Sequence, residues 1–412
     1  MEYLLPYMER LTGFIGIFTL LGIAFILSDN RKAINFNTIF AGIGLQFFLA
    51  FFILGTPFGK PIFSFLDNAI TTLVSFSDSG STFLFKSYSS GNVHPSLENF
   101  AFRTLPTIIF FSSIISVLYH FGIIQKVVRV FARIFQKTMF ISGTESLSVS
   151  ANIFLGQTEA PLMVRPFVDK MTKSELMAVM TGGFATAAGG ILAIYVSWLS
   201  DIPNIAGHLL TASVMSAPAA LVIAKIIYPE VEKSDTMGDL NIEIEQTTTN
   251  GMEALGNGAT AGLKLAANIA AMLIAFLSFV AMINYLLLFL DTSMEEILGY
   301  IFKPLAWTMG VEWSEAGTLG MLMGKKIVLT ELIAYSDLQE LVNNKQIKDR
   351  TAVIASYALC GFANFGSIGI QLGGIGGMAP GRSKDLAKLV TKAMFGGALA
   401  SWLTATIAGM IL

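Results

Sequence analysis

Between Ala151 and Pro161 the chain sets an amide, a hydroxyl and a carboxylate side by side, Gln157-Thr158-Glu159, between apolar segments. An ionisable group at membrane depth is costly and marks a functional site by default. The apolar arms on either side are each too short to cross a hydrocarbon core of ~30 Å, which needs roughly 20 helical residues. Gly156 favours a helix end and Pro161 a helix start. The stretch therefore predicts a re-entrant helical hairpin over about Thr144 to Val168. Such a tip is tolerated only where protein or a water-filled cavity covers it.

Composition supplies the membrane. The 412 residues are 54% hydrophobic and 13% charged, with a mean hydropathy of +0.66. Soluble domains carry about 25% charged residues, so an all-α polytopic membrane protein is expected. The net charge of -2 and the lack of a basic run give no sign of a nucleic-acid partner. Cys360 stands alone, and His94, His120 and His208 have no metal-ligand spacing, so no zinc is expected. With no Ser-His pair or phosphate loop, the chain does not read as an enzyme. Met1 to Arg10 has no basic leader, and the first apolar stretch reads as a retained span.

Two spans come first, about Leu11 to Leu27 and Ile39 to Leu54, joined by a loop with Arg31 and Lys32. Basic short loops favour the cytoplasm, which puts the N-terminus outside. Ile62 to Phe76 has helical apolar spacing among polar residues, as in a helix lying in the interface plane. Ser77 to Asn99 is Ser/Gly-rich and reads as loop. Leu105 to Leu118 begins a third span that runs on into Lys126, Arg129, Arg133 and Lys137. After the hairpin, Leu176 to Trp198 is a span interrupted at Gly182-Gly183 and Gly189-Gly190, and Ala212 to Tyr228 returns. Glu230 to Asn250 is the longest polar linker, and Ala261 to Leu290 holds another span. Glu295 to Leu341 is too polar for a crossing and too apolar for a free loop, so it predicts a second re-entrant hairpin. Trp313-Ser314-Glu315 has an alternative role there as a cap for the hairpin's middle. Thr351 to Pro380 and Leu386 to Leu412 complete the chain. Lys325, Lys326, Lys345, Lys348 and Arg350 fall on or near the outer side, against the charge rule.

An echo links the halves. Gly183-Phe184-Ala185-Thr186 follows the acidic tip residue Glu159, and Gly361-Phe362-Ala363-Asn364 follows the acidic tip residue Glu331. One half starts from inside and the other from outside, so the repeats are inverted. Interrupted segments in matching positions point to a midplane site between them. Glu159 and Glu331, if ionised, only accept hydrogen bonds and suit a donor-rich partner such as a sugar diol. Gln157 and Asn364 both donate and accept, matching a nucleobase edge or an amide. Thr158 and Ser367 add hydroxyls, and Phe362 offers a stacking face. No Lys or Arg falls at either tip, which disfavours phosphate and points to a neutral, polyhydroxylated solute. Arg165 is a candidate counter-charge for Glu159. Sodium prefers oxygen ligands. The Asn152 side chain, the Leu155 carbonyl, the Thr186 hydroxyl and a carbonyl freed at the break supply them, beside a negative helix end. Proton carriage by Glu159 or Glu331 uses the same residues and stays open. A polar-solute channel is the alternative from another class.

Gly156-Gln157-Thr158-Glu159-Ala160-Pro161, Met180-Thr181-Gly182-Gly183-Phe184-Ala185-Thr186 and Cys360-Gly361-Phe362-Ala363-Asn364 together resemble the concentrative nucleoside transporter family. The likeness is to its bacterial sodium-coupled members and runs over nearly the whole chain. It implies a homotrimeric inner-membrane symporter with about eight transmembrane helices, two hairpins in inverted repeats, an interfacial helix and an elevator-like transport domain. On that plan 1–60 and 101–138 are scaffold helices, 61–100 is the interfacial helix and loop, and 139–228 is the first transport repeat. The linker and a further scaffold helix take 229–290, and the second transport repeat takes 291–412. The resemblance also implies that Gln157, Thr158 and Glu159 meet the nucleobase side, while Glu331, Asn364 and Ser367 hold the ribose with Phe362 nearby. Sodium, the coupling ion and the sole cofactor-like species, falls on Asn152, Leu155, Thr186 and Ala187. Thr186 and Ala187 replace an expected serine and isoleucine; Thr keeps the hydroxyl and Ala gives its carbonyl.

Overall fold

A computed structural model describes residues 5–57, 59–87, 90–97, 99, 101–102, 105–238 and 248–412. Part of the expected polar linker, 239–247, and the side chains of Ile62 and Leu66 lie outside the described residues. Among the described residues the named elements are all helical. The first two spans are α1 (Leu5–Ile26) and α2 (Phe36–Ala50), the latter continued by a wider π-helical turn, Phe51–Gly55.

The next element, α3 (Gly59–Phe85), corrects the expected loop from Ser77. Its serines do not break it. The Ser75 and Ser77 hydroxyls turn back onto the Thr72 and Val74 carbonyls, both at 2.7 Å, so they sit within a helix without opening it. The third span also differs from expectation. It ends at His120 as α4 (Leu105–His120), and α5 (Ile123–Met139) leaves it at 77°. Gly122, with φ at +71°, supplies the left-handed residue that the corner needs. Lys126, Arg129, Arg133 and Lys137 are exposed along α5, while Val128, Ala132, Phe135 and Met139 are buried.

The first hairpin is α6 (Gly143–Ala151), a tip, and a return arm Ala160–Lys170 wound as a tight 3₁₀ helix. Pro161 near the arm's start and Pro166 within it lack the N–H groups an α-helix needs. The broken span follows as α7 (Lys173–Ala185) and α8 (Gly189–Trp198). Its break lies at Thr186–Ala188, so Gly182-Gly183 is intact helix. After α9 (Ile205–Ile227) and α10 (Gly251–Leu287) come α11 (Met294–Thr308), α12 (Trp313–Val328) and α13 (Glu331–Asn343). The second hairpin is α12–α13 alone, shorter than expected, with α11 packed along α12. Trp313 opens α12 at the hairpin's base, away from its middle, and stacks beneath the Lys303 ammonium at 4.6 Å. A second broken span, α14 (Asp349–Leu359) and α15 (Phe365–Met378), leads into α16 (Ser383–Ile411). Hairpin, broken helix and long helix thus occur in the same order in both halves.

Five helices, or six with the bent α4–α5 pair, are long and apolar enough to cross a membrane among the described residues. Their burial separates an inner bundle from an outer layer. The apolar windows of α9, α7–α8 and α16 are 94%, 89% and 83% buried, against 28% for α2 and 6% for α10. The outer α10 approaches α4 backbone to backbone through Gly258 and Gly262, where a β-carbon would meet the Ser113 and Ile109 Cα atoms at 2.6 and 2.7 Å. This small-xxx-small spacing is a membrane packing device.

Three of the cations that strained the charge rule are engaged here. Lys325 pairs with Asp337 at 2.7 Å and with Glu295 at 3.2 Å, Lys348 pairs with Glu312, and Arg350 donates to the Gly310 carbonyl. They hold elements together and are poor reporters of sidedness.

In the inner bundle the two breaks touch. Gly361 has φ at +96°, and a β-carbon there would lie 2.5 Å from the Ala185 carbonyl carbon and oxygen. Gly361→Ala is expected to lose at least ~2 kcal/mol, from the left-handed backbone alone about 1–2 kcal/mol and more from the backbone contact. Thermal unfolding in detergent checks this; an unchanged midpoint contradicts the crossing.

Candidate functional site between the helix breaks

Breaking a helix at depth frees backbone groups that lipid cannot satisfy. At the second break Asn364 caps α15, its Oδ1 accepting from the Ser367 N–H at 2.8 Å. Its Nδ2 donates to Glu331 Oε2 at 2.8 Å, and Tyr195 of α8 donates to Glu331 Oε1 at 3.2 Å. Glu331 is the first residue of α13, so the positive end of that helix also faces its charge. Tyr195 stacks on Tyr335 at 3.9 Å, fixing the donor in place. A carboxylate held by two neutral donors keeps lone pairs free for hydroxyl donors.

Lys326 serves the same break from the other side. Its buried ammonium donates to the Ala358 carbonyl at 2.9 Å, the Cys360 carbonyl at 2.8 Å and Ser401 Oγ at 2.7 Å. All three protons are therefore used. The expectation that no cation lies near a tip is thus corrected, although this one has no proton left for an anionic solute.

The first tip meets α15 two turns further along. Gln371, on the inner face of α15, donates to Gln157 Oε1 at 3.2 Å and to the Met180 carbonyl at 3.0 Å. Thr158 is half-buried and lies against Gly374 of α15, where a β-carbon would meet its Cγ2 at 2.8 Å. Phe362, Asn364 and Ser367 are buried beside the second break. Glu159 differs from the expected buried carboxylate. It is exposed, with its side chain folded back over Gly156, and Arg165 is exposed and makes no ion pair with it among the described residues.

Two of the residues expected around a cation, Asn152 and Thr186, meet at Gly182. Asn152 caps the end of α6 and donates to the Ser148 carbonyl at 3.2 Å, while its buried Oδ1 has no hydrogen-bond partner. Thr186 Oγ1 donates to the Gly182 carbonyl at 3.0 Å, and a β-carbon on Gly182 would meet Asn152 Nδ2 at 3.4 Å. The Gly189 N–H takes the Phe154 carbonyl at 3.2 Å, which ties the tip to the start of α8. An orphaned buried acceptor beside a helix C-terminus is an arrangement that a hard cation completes. Leu155 and Ala187 are buried at the tip and the break.

Sequence reasoning missed Tyr195, Lys326 and Gln371. Gln371 had a signal, being four residues beyond Ser367 and so on the same helix face. Lys326 showed only as a charge on an unexpected side, and a Tyr inside an apolar span carried no signal.

Two inverted repeats with polar tips meeting at broken helices define an ion-coupled membrane transporter. The chain matches family models described as "Na+ dependent nucleoside transporter C-terminus" over 208–409, its N-terminus counterpart over 15–88, and "Nucleoside recognition" over 101–201. It is 40% identical to an uncharacterized transporter of Haemophilus influenzae, with 98% of each chain covered. It is likewise 40% identical to sodium/nucleoside cotransporter 1 of Mus musculus, covering 98% of this chain and 64% of that longer protein. The solved structure of CNTnw in an inward-facing substrate-bound state matches with a TM-score of 0.89 at 40% identity, covering 97% of this chain and 98% of that one. A CNTnw variant in an outward-facing state matches with a TM-score of 0.90 at 39% identity, over 98% of both chains. The chain belongs to the sodium-dependent nucleoside transporter family, a family of multi-pass membrane transporters.

Lys326→Met removes the ammonium and leaves the Ala358 and Cys360 carbonyls without their donor. The expected loss is about 3–5 kcal/mol, as for breaking other buried charge networks. It is read as a lowered unfolding temperature in detergent; wild-type stability contradicts the assignment.

Proposed function

We propose that this chain imports nucleosides, with a pyrimidine nucleoside such as uridine favoured, across a bacterial inner membrane in symport with sodium. The observation that carries this reading is the placement of polar residues from both hairpin tips along one face of α15. Asn364 at its start bonds Glu331, and Gln371 two turns on bonds Gln157. A solute lying along this face would touch both repeats at once.

In this reading the ribose hydroxyls donate to Glu331, with Asn364 and Ser367 beside it, because a charged acceptor strengthens such bonds. Phe362 covers the ring, and Gln157, Thr158 and Glu159 meet the base. Exposed Glu159 sits where the solute enters. Sodium takes the Asn152 side-chain oxygen, the Thr186 hydroxyl and the Leu155 and Ala187 carbonyls. Sodium and solute thus share the first tip, so each favours the arrangement that receives the other. The well-buried bundle of hairpins, broken helices, α9 and α16 moves as one body against α2, α4 and α10, in an elevator-like step. The nearly bare apolar surface of α10 suits burial against lipid and the other copies of a homotrimer.

Radiolabelled uridine uptake into proteoliposomes tests the reading. Accumulation is expected with an inward sodium gradient and not with a proton gradient alone; accumulation on protons alone overturns the coupling, and no nucleoside uptake at all overturns the function. Glu331→Gln is expected to abolish uptake with the protein still folded, and wild-type transport would remove the ribose assignment. Asn152→Ala and Thr186→Ala should each raise the sodium concentration for half-maximal uptake roughly tenfold, the size of one lost charge-assisted contact. Unchanged sodium titrations in both would remove the cation from this hairpin.

A further inference from the structure

We infer that Gln371 is a positioning residue that sets base selectivity by fixing which end of the Gln157 carboxamide faces the solute. The argument rests on the reading of Gln157 as a nucleobase contact. The Met180 carbonyl can only accept, so the Gln371 group that meets it at 3.0 Å is the amide nitrogen. That nitrogen's other proton points to Gln157 at 3.2 Å, so the atom of Gln157 that receives it is Oε1. Both amide orientations follow from one backbone carbonyl, which has no alternative role. Gln157 is then left with its NH₂ group, which no protein group accepts among the described residues. Gln371 is itself buried, its Oε1 has no partner, and a β-carbon on Gly183 would lie 2.7 Å from its Nε2, so it has little room to rotate.

The spacing says which edge of the base this donor meets. Asn364 and Gln371 are seven residues apart on one helix face, ~10 Å at 1.5 Å per residue. With the ribose at the Glu331–Asn364 end, Gln157 lies toward the edge far from the glycosidic bond. That edge carries a carbonyl oxygen in uracil (O4) and hypoxanthine (O6), and an amino group in cytosine (N4) and adenine (N6). A locked donor pairs with the first and confronts the second with another donor. The transporter is therefore selective for nucleosides whose sugar-distal substituent is a carbonyl oxygen, by about tenfold over the amino counterpart, the size of one matched against one unmatched hydrogen bond.

The test is uptake efficiency, as kcat/KM, for uridine against cytidine and inosine against adenosine in proteoliposomes. Wild-type protein is expected to favour uridine and inosine about tenfold, chiefly through KM. Gln371→Met keeps the volume but removes the donor, so Gln157 is free to turn over and both ratios should fall toward one. Loss of general packing would lower all four efficiencies together and leave the ratios unchanged. A wild-type measurement covers the case in which the variant does not fold. The ribonucleoside of 2-pyrimidinone, which lacks the 4-oxygen, should compete with uridine about tenfold less well than unlabelled uridine. Equal competition, wild-type ratios near one, or ratios unchanged in an active Gln371→Met protein would each overturn the assignment while nucleoside transport stands. Absence of uptake for every nucleoside in the wild type would overturn the transport reading and this one with it.

Discussion

Every break in a membrane-embedded helix leaves carbonyls and N–H groups that the bilayer will not take, and this fold is organised by how they are satisfied. The two breaks are stacked so closely that only a glycine with a left-handed backbone fits at 361. Around that contact the freed groups are allotted to particular side chains. Asn364 takes the Ser367 N–H, Lys326 takes two carbonyls, Thr186 takes the Gly182 carbonyl, and the tip of the first hairpin receives the Gly189 N–H. The side chains that repair the backbone are also those that line the site. Among the buried oxygens left without a partner are Asn152 Oδ1, beside the end of α6, and Gln371 Oε1 on α15.

The same constraint joins the two repeats to each other. α15 begins at the Glu331–Asn364 bond and carries Gln371 to the first hairpin, so neither tip can shift without disturbing α15. The base of the first hairpin is fixed as well. Ser142 with Glu145 and Thr172 with Glu175 form paired caps on α6 and α7, and buried Lys225 of α9 joins Glu145 to Glu230. The outer α10, by contrast, packs on α4 through Gly258 and Gly262 and leaves most of its apolar surface bare. That contrast is what the proposed elevator-like step requires.

Much of this was legible in the sequence because a polar triplet between short apolar arms has few solutions in a bilayer. The first hairpin and the order of elements in both halves follow from that rule and from the repeated Gly-Phe-Ala element, while the grouping of Glu331 with Asn364 comes from the family resemblance. The errors have physical causes. Ser77 looked like a loop residue because Ser competes with backbone hydrogen bonding, yet its hydroxyl bonds within its own helix. Gly182-Gly183 looked like a break, but the helix parts three residues later, where Thr186 can close the freed carbonyl. Gly122 turned a continuous apolar-to-basic run into a corner of 77°. Lys326 stood out only as a charge on or near the outer side, since its partners, Ala358, Cys360 and Ser401, are brought to it only by tertiary folding.

The central claim is that a cation at the first hairpin and a solute spanning both tips occupy one connected site. Equilibrium binding of uridine to the purified full-length protein, measured by calorimetry in sodium and in choline, tests this most directly. The account predicts at least ~10-fold tighter uridine binding in sodium and, by reciprocity, an equal tightening of sodium binding by uridine. Equal uridine affinity in the two salts would contradict it.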